Sequence, residues 1–200
     1  MVWGTKANAT RATTQRRAIE TERFTITSKT WSMSLTQSQR NDWSALAAAN
    51  PRPDRWGNLF PLTGISLFLG VNGYREQIGL PRLLNAPADQ SVTALSTITI
   101  TATAPNILTI AYTPTPLPAD HVLYLLTTAQ KNPGQNSFQH GVFFLGASAP
   151  AAASPFDASA AYTARWGLLK AGQKTVITAA LLNTTNGAKS PTIEKVVTTT

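Results

Sequence analysis

The 200-residue chain contains no cysteine. That removes disulfides, thiolate nucleophiles and cysteine-ligated metal centres together. Histidine is almost as scarce: only His121 and His140 are present, in different segments and without metal-ligand spacing. A catalytic histidine needs a carboxylate or a nucleophile within reach. The nearest acid to His121 is its neighbour Asp120, which on an extended strand points to the opposite face. Asp42, Asp54 and Glu76 form no recognised metal-binding pattern. No catalytic, cofactor-binding or metal-binding set is expected, and the chain does not read as an enzyme. There is also no apolar run near the roughly 20 residues that a transmembrane helix requires. The opening MVWGTKANATRATTQRR has no apolar stretch after its charges and is unlike a secretory signal, so folding in a cytoplasm is expected.

Charge is the other scarce commodity. Asp, Glu, Lys and Arg make up 13 % of the chain, against about 25 % in ordinary soluble domains, so much of the surface must be neutral Thr, Ser, Asn and Ala or covered by partners. What charge there is leans positive, 17 basic against 9 acidic residues for a net +8. The first 34 residues alone carry six basic and two acidic side chains. Lys6, Arg11, Arg16, Arg17 and Arg23 therefore form a candidate partner-binding arm, with Arg52 and Arg55 added from a later proline-rich bridge. Such an arm suits an acidic protein surface or a phosphate backbone. Only Trp3 and Phe24 lie close to it, and no nucleic-acid-binding motif is present, so a nucleic-acid partner is possible but not favoured.

Hydrophobic residues make up 42 % of the chain, enough for a packed core. Three stretches follow one another. Residues 1–34 begin as an extended arm, and from Thr13 or Thr14 as N-cap the residues Glu20, Phe24, Thr27 and Trp31 recur at helical spacing. Residues 35–90 carry sharper signals. Thr36 with Gln39 reads as a capping box, with Leu35 before it and the aliphatic stem of Arg40 as the other half of a staple. Trp43, Leu46 and Ala47 share one side of that helix, which stops at Asn50-Pro51. A rigid bridge, 51–62, follows. A second helix is expected from 63 or 64 to 77, striped by Leu67, Val71, Tyr74 and Ile78, with Gly79 as its left-handed stop and Pro81 preventing continuation. Trp43, Trp56, Phe60 and Phe68 are expected to form the core of this helical pair, and Asn72 to bind a neighbouring backbone.

After residue 90 the apolar period changes from about 3.6 to 2. Strands are expected at 97–101, 107–112, 121–127, 141–145, 160–166, 174–182 and 192–197, with 147–154 as a loop. Seven short strands separated by Pro, Gly and Asn turns indicate an antiparallel β-sandwich over 91–200. The whole chain thus reads as α+β: a basic arm and short helices, then a sandwich.

Two resemblances add to this. Leu169-x-x-Gly172, the strand Lys174–Ile177, the turn Asn183–Pro191 and Leu108–Tyr112 together resemble a fibronectin type III module, or more broadly an immunoglobulin-like sandwich. Tyr112 stands where the core tryptophan of such modules is usual, and Thr175 where the corner tyrosine is usual. The chain is also similar, over nearly its full length, to a group of structural proteins of tailed bacteriophages and prophages. The matching pattern is Thr14-Gln15-Arg16-Arg17, then Leu35-Thr36, Gln39-Arg40 and Trp43, then Gly64, Phe68 and Asn72, then Gly79-Leu80-Pro81, with Gly167-Leu168 and Gly172-Gln173 near the end. This resemblance implies a virion structural protein assembled in the host cytoplasm. The expected role is that of a capsid decoration (cement) protein whose partners are the major capsid protein and copies of itself. The alternatives are a tail, neck or baseplate subunit and a host-surface or carbohydrate-binding module.

Overall fold

The computed structural model of the chain describes residues 15–53, 56–135 and 141–200, with side chains from Ala18 onward. The expected caps Thr13 and Thr14 lie outside the described residues. Helix α1 spans Gln15–Lys29. Its β-branched residues are accommodated by back-bonding: the hydroxyls of Thr25, Thr27 and Thr30 each donate to the carbonyl four residues earlier, at 2.8–3.0 Å. At Thr30–Ser34 the helix widens into one π-turn, in which Leu35 N–H donates to Thr30 C=O at 3.1 Å.

Helix α2, Gln37–Ala49, opens on the expected capping box: Thr36 N–H donates to Gln39 Oε1 at 2.8 Å and Gln39 N–H to Thr36 Oγ1 at 3.3 Å. Arg40 acts differently from expectation. Instead of lending its stem to a staple, its Nη2 donates to Leu35 C=O at 2.8 Å, using the charge on carbonyls that the end of the π-turn leaves over. A two-rung ladder joins β1 (Arg52–Pro53) to β2 (Leu59–Phe60). Helix α3, Gly64–Gln77, is capped by Thr63, whose Oγ1 accepts from Ser66 N–H. It ends as expected. Gly79 takes φ +79°, and Gly79 N–H and Leu80 N–H return to Glu76 C=O and Arg75 C=O, the crossed pair of a Schellman stop.

The described residues of the C-terminal half hold seven strands: β3 (Thr97–Thr103), β4 (Ile107–Thr113), β5 (His121–Thr127), β6 (Phe143–Ala147), β7 (Phe156–Asp157), β8 (Lys174–Asn183) and β9 (Ile193–Thr198). They form two antiparallel sheets, ordered β3-β4-β7 and β6-β5-β8-β9. One apolar cluster joins the two, with Ile98, Leu108, Ile110 and Tyr112 from the first and Leu123, Leu125, Ile177 and Leu181 from the second. The fold class is α+β, as expected. The fourth strand pairs with the third, whereas an immunoglobulin constant domain pairs it with the fifth.

One expected strand is not a strand. Residues 160–166 belong to helix α4, Ser159–Trp166. The short strand β7 takes that place in the count. The reason is local: the Asp157 carboxylate accepts from Ser159 N–H at 2.9 Å and starts a turn, the following Ser-Ala-Ala favours helix, and Gly167 at φ +84° stops it. Tyr162, which alternation would place on a sheet face, is buried in the same core from a helix instead. The fourth strand also lies two residues later than 141–145.

Helix α3 connects the two halves through its two faces. Leu67, Phe68 and Val71 pack with Leu35, Trp43, Leu46 and Ala47. Tyr74 and Ile78 pack on Val122, Tyr124 and Leu182, the outer face of the four-stranded sheet. Strand β8 is therefore buried on both faces along nearly its whole length, which accounts for its continuous apolar run.

Candidate functional site

Three kinds of residue compete to be the working part of this molecule: the basic set, the polar clusters and the exposed apolar side chains. The basic set is largely beyond description. Lys6, Arg11 and Arg55 lie outside the described residues, and Arg16 and Arg17 sit on the first turn of α1. Arg23 is half-exposed and pairs with Glu20, one turn earlier, at 3.1 Å. Arg52 lies exposed on β1. The two described side chains are thus on separate elements.

The anchor residues converge on one joint. Trp43 and Phe68, both at 0 % exposure, meet edge-to-face at 5.3 Å between ring centroids, and Trp31 of the π-turn tilts onto Phe68 at 5.4 Å. Trp43 Nε1–H donates to Leu84 C=O at 3.0 Å. Asn72, also at 0 %, forms a two-way pair with the backbone of Leu83: its Nδ2 donates to Leu83 C=O at 3.2 Å and its Oδ1 accepts from Leu83 N–H at 2.7 Å. Residues 81–84 are thereby fastened along α2 and α3. Two aromatics assigned to this core are not in it: Trp56 is 70 % exposed and Phe60 45 %. They ride on the β1–β2 ladder, a two-residue pairing too short to bury them. Phe24 of α1 is likewise 61 % exposed.

Arg75 was not singled out by the sequence, yet it binds the joint to the sheets. Arg75 as a residue is 5 % exposed, and its guanidinium faces three carbonyls, those of Pro81 (2.9 Å), Thr184 and Thr185. Burial pulls its pKa below the ordinary arginine value, and the oxygens it faces, at the end of α3 and in the β8–β9 turn, offset that cost. Beside it, Gly187 at φ +68° brings the turn so close that an added Cβ would lie 2.5 Å from Val71 Cγ1. The signal available in the sequence was only an arginine in the last helical turn, the common position for a solvated cation.

The anchor residues of the C-terminal sheets also behave as structure. Tyr112 is buried and its hydroxyl donates to Ala152 C=O at 3.0 Å, while burial pushes its pKa up. Gly172 takes φ +78° at the start of β8. Thr175 meets a tyrosine hydroxyl from another element: Tyr162 of α4 lies 3.1 Å from Thr175 Oγ1.

His121 departs from the sequence argument. Asp120 precedes the strand rather than lying in it, so its carboxylate can turn back and meet His121 Nδ1 at 2.7 Å. Thr93 N–H donates to Nε2 at 3.0 Å, so Nδ1 carries the proton. The hydrogen bond from His121 holds the Asp120 carboxyl below its usual range, helped by Asn183. Both ring nitrogens are engaged with protein, which leaves no lone pair to accept a proton from a substrate. His140 lies outside the described residues. No group of three His, Asp or Glu side chains that could hold a metal ion exists among the described residues. No described helix is long and apolar enough to cross a membrane.

An apolar cleft of ≈ 340 Å³ lies between the end of α3 and strands β5 and β6, lined by Ile78, Leu80, Val122, Phe144 and Ala147 with Gln77 at its polar edge. The larger exposed resource is elsewhere. Of the twelve large hydrophobic residues exposed among the described ones, seven lie between residues 19 and 60: Ile19, Phe24, Ile26, Met33, Trp56, Leu59 and Phe60. No protein-family model matches the chain, and no curated protein matches it in sequence. Among solved structures, a family 76 glycoside hydrolase from a bovine Bacteroides thetaiotaomicron strain aligns with 54 % of this chain and 20 % of that one, at 9 % identity and a TM-score of 0.37.

Proposed function

We propose that this chain is a structural protein of a phage virion and acts as a capsid decoration protein, docking through its N-terminal helical side onto the major capsid protein. The observation that carries this reading is the uneven placement of exposed apolar side chains. Trp, Phe and Met supply four of the seven exposed between residues 19 and 60, and these types, with arginine, are the ones enriched in protein–protein contacts. Arg52 stands in the same hairpin as Trp56, Leu59 and Phe60. A net charge of +8 favours an acidic partner surface, while the low total charge keeps contacts of this kind tolerant of salt. The resemblance of the Leu35–Pro81 pattern to phage structural proteins supplies the setting.

The test is cosedimentation of the purified protein with capsids lacking it. Stoichiometric binding is expected. Trp56→Ser combined with Phe60→Ser should weaken it at least tenfold while leaving thermal unfolding unchanged, because neither side chain belongs to the core. Absence of binding to capsids, or binding indifferent to the double substitution, would count against this reading. Gold-labelled protein over the tail instead of the head would move the role to the tail, neck or baseplate.

A further inference from the structure

We infer that α1 is a self-association helix, through which two copies of the chain pair antiparallel about a two-fold axis near Ile26. Along the whole of α1, the only described side chain that is buried is Thr27, which meets Glu76 of α3 at 3.0 Å. Trp31 and Phe68 make the next contact, from the π-turn. Among the described residues, the body therefore holds one side of this helix and leaves most of its surface open. A helix of this length with three β-branched residues in succession, Thr25 to Thr27, and two more at Ile19 and Thr21 is marginal alone and draws its stability from packing.

The open surface is ordered. Ile19 (43 % exposed) and Ile26 (41 %) lie seven residues apart, within about 20° of one line along the helix, and Met33 (81 %) stands beyond them in the π-turn. Glu22 and Lys29, both exposed, lie on one flank of that line, roughly 40–60° around the helix from Ile26. On the other flank, Arg23 is already paired with Glu20.

The flanking charges decide what covers the stripe. When two such helices run antiparallel about Ile26, Ile26 meets its own copy and Ile19 comes level with the π-turn that carries Met33 of the second copy, twice. The same operation sets Glu22 against Lys29 of the second copy, also twice, because equal flanks face each other in an antiparallel pair. A parallel pairing instead sets Glu22 against Arg23 of the second copy, whose charge Glu20 already holds, and leaves Lys29 without an acid. The stripe is thus complementary to itself under a two-fold, the isologous pattern of the commonest oligomers. This inference does not rest on the virion reading, since it concerns the protein free in solution.

Analytical ultracentrifugation of the full chain at micromolar concentration tests it. A reversible dimer is expected. Ile26→Asp should abolish it with unchanged circular dichroism and melting in the dilute limit. Glu22→Lys and Lys29→Glu should each raise the dissociation constant by about tenfold, and the two together should restore it to near the parent value, since exchanging both charges recreates the pair. A parent chain that stays monomeric, a dimer indifferent to Ile26→Asp, or a double exchange weaker than both singles would each overturn the inference. Loss of dimer with intact capsid binding, or the reverse, separates this surface from the docking hairpin.

Discussion

At the level of single residues, the joint depends on a few polar atoms in an apolar setting. Asn72 satisfies both backbone groups of Leu83 from a position with no exposure. Asn72→Leu leaves the N–H and C=O of half-buried Leu83 without their partners, and should cost about 1–3 kcal/mol in urea denaturation. Gly187→Ala should cost roughly 1–3 kcal/mol for a different reason: the added methyl meets Val71 at 2.5 Å, and the backbone sits at φ +68°. Asp120 contributes through pH. Its folded carboxyl is depressed chiefly by the hydrogen bond from His121, so its stabilisation is present above the unfolded value near 3.9 and is lost as pH falls through the lower folded one. The melting temperature of Asp120→Asn should therefore lie below that of the parent at pH 6, and the gap should shrink by pH 3.

At the level of elements, stability is spread over end signals that can be removed singly. Thr36→Ala deletes the hydroxyl half of the capping box and should cost about 1 kcal/mol, seen as a lower urea midpoint with unchanged slope. These end signals were the most legible part of the sequence, because a cap or a Schellman stop is made by residues within one turn of each other. Thr36 with Gln39 and Gly79 with Pro81 mark their helix ends where expected. The stripe Leu67, Val71, Tyr74, Ile78 was legible as buried, but not as divided between two cores, since periodicity reports that a face is covered and not by what. Residues 160–166 misread because Ala160, Tyr162 and Ala164 alternate over a length shorter than two helical turns. Trp56 and Phe60 were placed in a core on hydrophobicity alone, and hydrophobicity does not distinguish a core side chain from one exposed to meet a partner. The strand begins at His121 as expected, but Asp120 was given the direction of a strand residue, whereas just ahead of a strand its carboxylate can turn back to the ring.

For the whole molecule, the sequence suggested a helical part, a linker and a sandwich, whereas α3, residues 81–91 and the β8–β9 turn interlock. Asn186 Nδ2 donates to Asp89 at 3.1 Å and to Ser91 C=O at 2.8 Å, and the Tyr124 hydroxyl donates to Gln77. Residues 91–200 expressed alone lose the cover over Val122, Tyr124 and Leu182. That fragment should bind a hydrophobic dye and melt well below the full chain, whereas 63–200 should restore much of the difference. A fragment 91–200 that melts like its parent would show that α3 adds little. The strand order was beyond reach of the sequence, since the partner of β6 is settled by the path of the chain between residues 128 and 156 rather than by the pattern of any strand.

The carbonyl-lined seat of Arg75 has a mechanical consequence. Its guanidinium ties the last turn of α3, the residue before Arg82 and the β8–β9 turn with three bonds to backbone oxygens, so the attachment does not depend on any partner side chain or on its ionisation. Tension applied to the helical side would load these bonds in shear along α3 and pass into β8, an inner strand paired with β5 and β9. Strain would be shared across the sheet instead of peeling an edge, and the weak point under load would be α1, held to α3 near Thr27 and Trp31.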